Sequence, residues 1–328
     1  MLRRIFLGLL SLVLAAVLFA LGGLFLAKRA IVGLTPPLPS VPEVLAFDPS
    51  SDLPVRLSWI NTASQRMPRA GVLESSLDPN PKSPYILSIP AFVLEWSDGR
   101  IFLVDLGMDA QSAIDFGKLT EIVMGGKRVE PHGTVVEQLG DAVSRVAGVS
   151  FTHEHVDHTT GALELCRAHP QPMKLFLDKL WIDSSNYTTR PGLEILAKAK
   201  CLARHTLEGG PLIAIPGFPG LGFFAAAGHT PGSQVFVAHV RDGDGEGVKT
   251  WILAGDIANN IDGIRQNIPK PSIYSMFVVP ESTVRLDLLR RFLGSLERDH
   301  GVGIVVSHDE LALEASGIPK FSLQPAPP

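Results

Sequence analysis

The chain has 328 residues, enough for one large domain or two small ones. Lys and Arg number 29 against 33 Asp and Glu, and no basic patch or aromatic–basic interleaving occurs, which argues against nucleic acid as a partner. A mean hydropathy of +0.22 is high for a soluble protein, and most of the excess lies at the N-terminus.

Ile5 to Ala27 is a run of 23 residues without a charge. Roughly 20 apolar helical residues cross the ~30 Å hydrocarbon core of a bilayer. A cleaved signal peptide is the rival reading, but its apolar core runs about 7–15 residues and ends at a small-x-small site. Here the run is longer and ends Leu26-Ala27-Lys28-Arg29, so length favours an uncleaved single-pass anchor over residues 1–29. Arg3 and Arg4 are matched by Lys28 and Arg29, and charge bias barely discriminates an orientation. The short N-terminal tail favours a body outside the cytoplasm.

Thr35 to Pro42 reads as a stiff, extended, proline-rich spacer. Residues 30–82 form a lead-in punctuated by loops at 48–52 and 78–81, and compact organisation is expected from Ser83 to the end. Ala91–Trp96 and Ile101–Val104 predict a hairpin around Ser97-Asp98-Gly99-Arg100, ending in Asp105-Leu106-Gly107. Thr134–Val146 has helical spacing and leads into a short strand. Thr160–His169 reads as a helix and Lys174–Leu177 as a strand. Cys166 and Cys201 are too few for a disulfide framework and are expected as two buried thiols, although an oxidising compartment would permit pairing.

Phe223–Ala227 predicts an apolar strand ending at Gly228-His229-Thr230-Pro231-Gly232. Gln234–Val240 and Lys249–Ala254 form the next hairpin, running to Gly255-Asp256. Asp242-Gly243-Asp244-Gly245-Glu246-Gly247 is a polar turn rather than a calcium loop, since its twelfth position is Leu253. Ser282 is a candidate cap for a helix carrying Leu289, Phe292, Leu293 and Leu296, followed by a strand over Val302–Val306 and then Ser307-His308-Asp309. Gln324 to Pro328 is a proline-rich tail.

The chemistry concentrates in Thr152-His153-Glu154-His155-Val156-Asp157-His158. Three imidazoles and a carboxylate suit a borderline divalent cation such as zinc. Alternate residues of an extended segment point the same way, so His153 and His155 can converge on one ion. Asp157 and His158 lie where the chain turns and can face a second. The residue four after His153 is Asp157, which excludes the helical His-Glu-x-x-His metalloprotease arrangement. His153, His229, Asp256 and His308 each follow an expected buried strand, so a rigid sheet can gather them at one edge. His132, His169, His205, His239 and His300 have no such context and are expected as plain core or surface residues, as are Phe223, Phe224 and Trp251.

In this order, these segments resemble the metallo-β-lactamase superfamily over about residues 83–315: His-x-His-x-Asp-His at 153–158, Gly-His-Thr-x-Gly at 228–232, Gly-Asp at 255–256, a late His308 and an early Asp-x-Gly at 105–107. The resemblance implies an α/β fold, a four-layered αβ/βα sandwich with metals at one edge. It also implies that His153, His155 and His229 bind one metal and that Asp157, His158 and His308 bind a second. On the same resemblance, Asp256 would bridge the two. Seven N and O ligands exceed one tetrahedral zinc and suit two divalent ions, expected as zinc, that share a carboxylate and a hydroxide. Asp157 is then the candidate proton shuttle, and Asp105 and Asp309 are expected to orient ligand histidines.

Within the family, a bridging Asp256 is unlike the true β-lactamases, and the short stretch after His308 leaves no room for the glutathione-binding domain of glyoxalase II. The layout is most similar to the lactonase-type hydrolases. Acyl-homoserine lactonases place a tyrosine three residues after the bridging aspartate; here Asn259 stands there, with Tyr274 in the same loop as a substitute. The expected function is hydrolysis of a lactone, ester, thioester or amide of a small-molecule substrate, with loops 179–222 and 257–281 shaping the pocket. The rivals are a mononuclear iron oxidoreductase like the persulfide dioxygenases, and a non-catalytic binding module.

Overall fold

The computed structural model describes residues 2–48, 51–169, 171–242 and 247–322. The middle of the polar turn (243–246) and the proline-rich tail (323–328) lie outside the described residues.

A seven-stranded sheet comprises β1 (Arg56–Arg66), β2 (Ile86–Glu95), β3 (Ile101–Val104), β4 (Glu130–Pro131), β5 (Val146–Ser150), β6 (Met173–Asp178) and β7 (Leu202–Leu207), in the order β4-β1-β2-β3-β5-β6-β7. A five-stranded sheet comprises β8 (Ile213–Ala214), β9 (Leu221–Ala225), β10 (Gln234–Asp242), β11 (Gly247–Leu253) and β12 (Gly303–Val305), in the order β12-β11-β10-β9-β8. The helices before the heptad are α1 (Leu2–Val32), α2 (Val41–Leu45), α3 (Ala110–Met124) and α4 (Val135–Leu139). After it begins come α5 (Val156–Thr159), α6 (Ala162–Ala168), α7 (Leu180–Asp183), α8 (Arg190–Lys198), α9 (Ile261–Arg265), α10 (Thr283–His300) and α11 (Glu310–Ala315).

The inner strands β2, β3, β9 and β10 are largely apolar on both faces because both faces are covered. In β2, Ala91 and Val93 pack with α4, α6 and α8, whereas Phe92 and Leu94 point into the layer between the sheets. In β10, Phe236 and Ala238 join that middle layer, while Val235 and Val237 pack with Leu286, Leu289 and Leu293 of α10. The result is helices, sheet, sheet, helices: a four-layered αβ/βα sandwich, with one N-terminal helix long and apolar enough to cross a membrane.

Several expectations need correction. Compact structure begins before Ser83, because β1 pairs antiparallel with β2 from Arg56↔Glu95 to Arg66↔Ile86. Its mixed sequence conceals a buried strand in which Asn61 and Gln65 find partners: Asn61 Oδ1 accepts from Ile89 N at 3.1 Å, and Gln65 Nε2 donates to Lys127 O at 2.6 Å. β1 is also strapped by the C-terminal segment, with Trp59 N donating to Pro319 O at 3.0 Å and Phe321 N to Trp59 O at 2.8 Å.

The stretch over 35–42 is not a free spacer. It runs into α2, capped by Ser40 and Glu43, whose Val44 is fully buried against the second sheet and α10. Cys166 and Cys201 form a disulfide, with Cα atoms 5.3 Å apart, rather than two thiols. The helix expected over Thr134–Val146 is α4 followed by a 3₁₀ turn over Gly140–Arg145, which ends at β5. Ser282 holds the cap position of α10, but its side chain makes no cap bond; its N–H donates instead to Gly228 O at 2.8 Å.

Candidate metal centre

Strand register brings the candidate ligands together. β11 and β12 are parallel with Leu253↔Val305 in register, so Asp256 and His308, each three residues further on, leave the sheet side by side. In the other sheet, parallel β3 and β5 place Val104 opposite Ser150, setting Asp105 beside the start of the heptad. Asp105 adopts φ +64°, a left-handed conformation that Asp tolerates better than most residues. From there it accepts from Thr152 N at 2.7 Å and Thr152 Oγ1 at 2.8 Å, and pairs with His158 Nδ1 at 2.9 Å. Ala227, just before Gly228-His229, is likewise left-handed at φ +52°.

All seven expected residues meet in one buried cluster. Ring nitrogens of His153, His155 and His229 form one triad, with His155 Nδ1 3.0 Å from His153 Nε2 and 3.2 Å from His229 Nε2. Asp157, His158 and His308 form another. Asp256 lies between them: its carboxylate is 3.0 Å from His308 Nε2, 3.5 Å from His229 Nε2, 3.6 Å from His158 Nε2 and 3.9 Å from His153 Nε2.

The outward nitrogen of every ring is held. His153 Nδ1 meets Thr152 Oγ1 at 3.1 Å, His155 Nε2 meets Thr188 Oγ1 at 3.1 Å, and His308 Nδ1 donates to Ser88 O at 2.7 Å. His229 Nδ1 pairs with Glu281 Oε1 at 2.6 Å. The other nitrogen is thereby aimed inward. His158 Nε2 and Asp256 Oδ1 are buried without any hydrogen-bond partner, a costly state in a protein interior unless a cation supplies the missing contact. The donor set therefore fits divalent metal.

Burial pushes His153 and His229 well below the usual imidazole range, with His158 and Lys270 respectively adding to it, and burial brings His155 to about 4. These three are neutral imidazoles at pH 7, the form that binds metal. Burial acts the same way on His158 and His308 but is overcome. Asp105 and Asp157 raise His158 to about 9, and Asp256 and Asp157 raise His308 well above its ordinary value. Against its own burial, Asp157 is held well below the usual carboxylate range by His158 and His308.

The cluster forms one wall of a cavity of about 320 Å³. Asp157, Asp256 and His308 face it with Asn259 and Tyr274, and the opposite side is apolar, with Leu87, Phe116 and Val279 among its residues. A larger cleft of about 500 Å³, near Arg69, Trp251 and Asp309, holds none of the seven.

A metallo-beta-lactamase superfamily model matches residues 85–268, more than half of the chain. The chain belongs to the metallo-beta-lactamase superfamily. No curated protein matches it in sequence. Among solved structures it is similar to an N-acyl homoserine lactone hydrolase with N-hexanoyl-L-homoserine bound at its catalytic metal center, at 18% identity and TM-score 0.57, covering 80% of this chain and 96% of that one. An AiiA variant from B. thuringiensis with N-decanoyl-L-homoserine at its active site gives the same figures. AidC, a dizinc quorum-quenching lactonase, aligns at 14% identity and TM-score 0.52 over 78% of this chain and 87% of that one. At such identities the likeness establishes the metallo-beta-lactamase fold.

In this metallo-beta-lactamase chain, three supporting residues depart from the expectation. Asp309 orients no ligand histidine. It caps α11 through Ala312 N at 3.1 Å and holds the 260–261 loop through Asn260 Nδ2 at 2.8 Å and Ile261 N at 3.0 Å. Glu281 and Lys270, unmarked by any spacing, take that part at His229. Buried Lys270 Nζ donates to Glu281 Oε1 at 2.7 Å and to Asp256 O at 2.6 Å, and lies 3.1 Å from His229 Nδ1. Only a charge deep in a loop rich in apolar and proline residues hinted at them. Glu154, inside the heptad, faces away from the cluster and accepts from Thr230 Oγ1, and burial raises it to about 7. Its carboxylate explains Gly232, where a Cβ would lie 1.9 Å from Glu154 Oε1. The five remaining histidines, His132, His169, His205, His239 and His300, do not join the cluster.

Proposed function

We propose that this chain is a binuclear zinc hydrolase that cleaves a lactone, ester, thioester or amide. One observation carries the reading: two buried ligand triads stand on either side of a shared carboxylate, Asp256. His153, His155 and His229 would hold one ion, Asp157, His158 and His308 the other, with Asp256 between. Two such cations lower the pKa of a shared water toward neutrality and polarise the acyl carbonyl.

The chain's own residues supply the rest. Asp157, kept ionised by His158 and His308, takes the proton of the attacking water and delivers it to the leaving oxygen, sulfur or nitrogen as the acyl bond breaks. Water adds across that bond, leaving a carboxylic acid and an alcohol, thiol or amine. Tyr274 and Asn259, at the cavity wall, are placed to contact the substrate. Burial and the Glu281 and Asp256 carboxylates hold the Tyr274 phenol protonated, so it can donate to an acyl oxygen. The likeness to lactonases favours a lactone as the first substrate to try.

The test is metal analysis together with a hydrolysis screen of acyl-lactones, thioesters, β-lactams and phosphodiesters, using the native chain and His153→Ala/Asp157→Ala. Near two zinc per chain, with activity lost in the variant, is expected. One iron per chain with oxygen consumption would sink the hydrolase reading.

We further propose that residues 1–29 form a single-pass anchor and that the body lies outside the cytoplasm. The span Arg4–Val32, 29 residues that contain an 18-residue window of mean hydropathy 2.7, supports the anchor, although a signal sequence near an N-terminus shares these properties. The Cys166–Cys201 disulfide supports an oxidising compartment. Mass analysis of the mature N-terminus, with a C-terminal topology reporter, tests both.

A further inference from the structure

We infer that the mouth of the candidate site rests on the bilayer that holds α1, so that the site takes long-chain acyl compounds dissolved in the membrane. The substrate part of this inference rests on the proposed hydrolase and anchor; the contact itself does not require hydrolysis.

The anchor has no stand-off. The charge-free run of α1 ends at Ala27, and from that residue on the helix is packed against the body: Ala27 and Ile31 are buried. At 1.5 Å per residue the run spans about 35 Å, so the hydrocarbon ends where the body begins. The point of attachment lies beside the centre. Lys28 Nζ donates to the carbonyl of Glu281, whose carboxylate holds His229. Arg285, in the first turn of α10, ties Pro36 O at 2.7 Å to Ala226 O at 2.8 Å, just before His229.

The surface around that point is apolar. Outside α1, most large exposed apolar side chains among the described residues fall in two stretches, 119–123 and 273–288. Both stretches border the cavity, which is lined by Leu119, Val123, Tyr274 and Val278. Among and beside the lining residues stand others that are exposed: Ile122 at 84% and Ile273 at 71%, with Met276 and Phe277 more than half exposed, and Val284, three residues past Glu281, at 82%. A rim of this kind is unfavourable in water and marks a contact surface. Its occupant is the bilayer, because the second stretch runs into Glu281, where the end of the spanning helix is fixed. An apolar rim continuous with an apolar cavity gives an acyl chain a path from lipid to the carboxylates without crossing water.

Full-length protein in phospholipid vesicles provides the test. The two cysteines of the chain are paired, so a nitroxide attaches only where a cysteine is introduced. Labels at Ile122→Cys and Phe277→Cys are compared with Lys249→Cys, an exposed site roughly 20 Å along β11 from Asp256. Relaxation by oxygen should exceed that by a water-soluble nickel chelate at the first two and the order should reverse at Lys249→Cys. Chelate-favoured relaxation at both rim sites overturns the inference, as does strong spin–spin coupling between copies with exclusion of both relaxants. In a second arm, Ile122→Ser/Phe277→Ser, neither of which lines the cavity, should lower turnover of a long-chain acyl lactone or ester in the vesicles at least about tenfold, the scale of one apolar side chain leaving hydrocarbon. Turnover of a short-chain, water-soluble analogue should be unchanged. Equal losses on both substrates overturn the substrate part. Oxygen-favoured labels with no hydrolysis of any substrate would leave the membrane contact standing and remove the hydrolase reading.

Discussion

The two sheets contribute to the candidate centre in opposite ways. The seven-stranded sheet gives four candidate ligands from a single stretch after β5, two on the loop and two on α5, whereas the five-stranded sheet gives three, each from a different strand end. The first group is held by chain adjacency plus one partner, Asp105, that grips both the backbone and a ring. The second is held by register between β11 and β12 and by buried polar partners far along the chain, Glu281, Lys270 and the Ser88 carbonyl. A dense motif can thus be local, but the residues that complete the candidate cluster have to be delivered by the fold.

The strongest way to break this picture is at Asp256. Asp256→Ala should remove the carboxylate that stands between the two triads, lowering turnover roughly a thousandfold or more, at least the scale of losing a main electrostatic donor in an active site. It should also reduce metal content below that of His155→Ala, as read by elemental analysis; equal metal loss in the two variants would deny Asp256 its bridging place.

Next in size is the disulfide, which ties α6 to the start of β7 and belongs wholly to the side of the seven-stranded sheet. Cys166→Ala/Cys201→Ala opens a closure of 35 residues and should cost about 3–4 kcal/mol in denaturant unfolding by the chain-entropy relation. The metal content of the folded protein should not change. The two kinds of support can then be weighed directly. Asp105→Asn and Glu281→Gln should each weaken metal binding about 10–100-fold in chelator competition. An effect confined to Asp105→Asn would mean that the dispersed ligands need no such help.

The smallest expected effect is on pH dependence, at His239 on β10. Burial lowers its imidazole to about 4 from an ordinary value near 6.5. The unfolded chain takes up this proton first, so the stability it contributes is complete above pH 6.5 and is lost as pH falls toward 4. His239→Gln should reduce the slope of unfolding free energy against pH in that window by up to about one proton, read from denaturant unfolding at a series of pH values.

What the sequence displays follows the same division. The heptad, the hairpin strands β2–β3 and β10–β11, and α10 were legible because their signals are contiguous apolar runs or close spacing. β1 was not, because Asn61, Ser64 and Gln65 read as a polar loop until their buried partners are known. Proline at 36, 37, 39 and 42 suggested an extended spacer, although proline in a first turn also starts a helix such as α2. Glu281 and Lys270 stand eleven residues apart in a loop with no period to reveal that they meet. The same holds for Cys166 and Cys201, whose pairing depends on how α6 and β7 pack.

The strap of residues 318–321 across β1 bears on how the protein is made. A ribosome releases a chain from its N-terminus, so Trp59 emerges 259 residues before Ile318, whose carbonyl accepts from its indole N–H. His308 arrives shortly before Ile318. The sandwich and its seventh candidate ligand are therefore completed almost together, by contacts of very large sequence separation. Until that segment emerges β1 lacks its strap, which leaves the β-rich segments around it in need of protection.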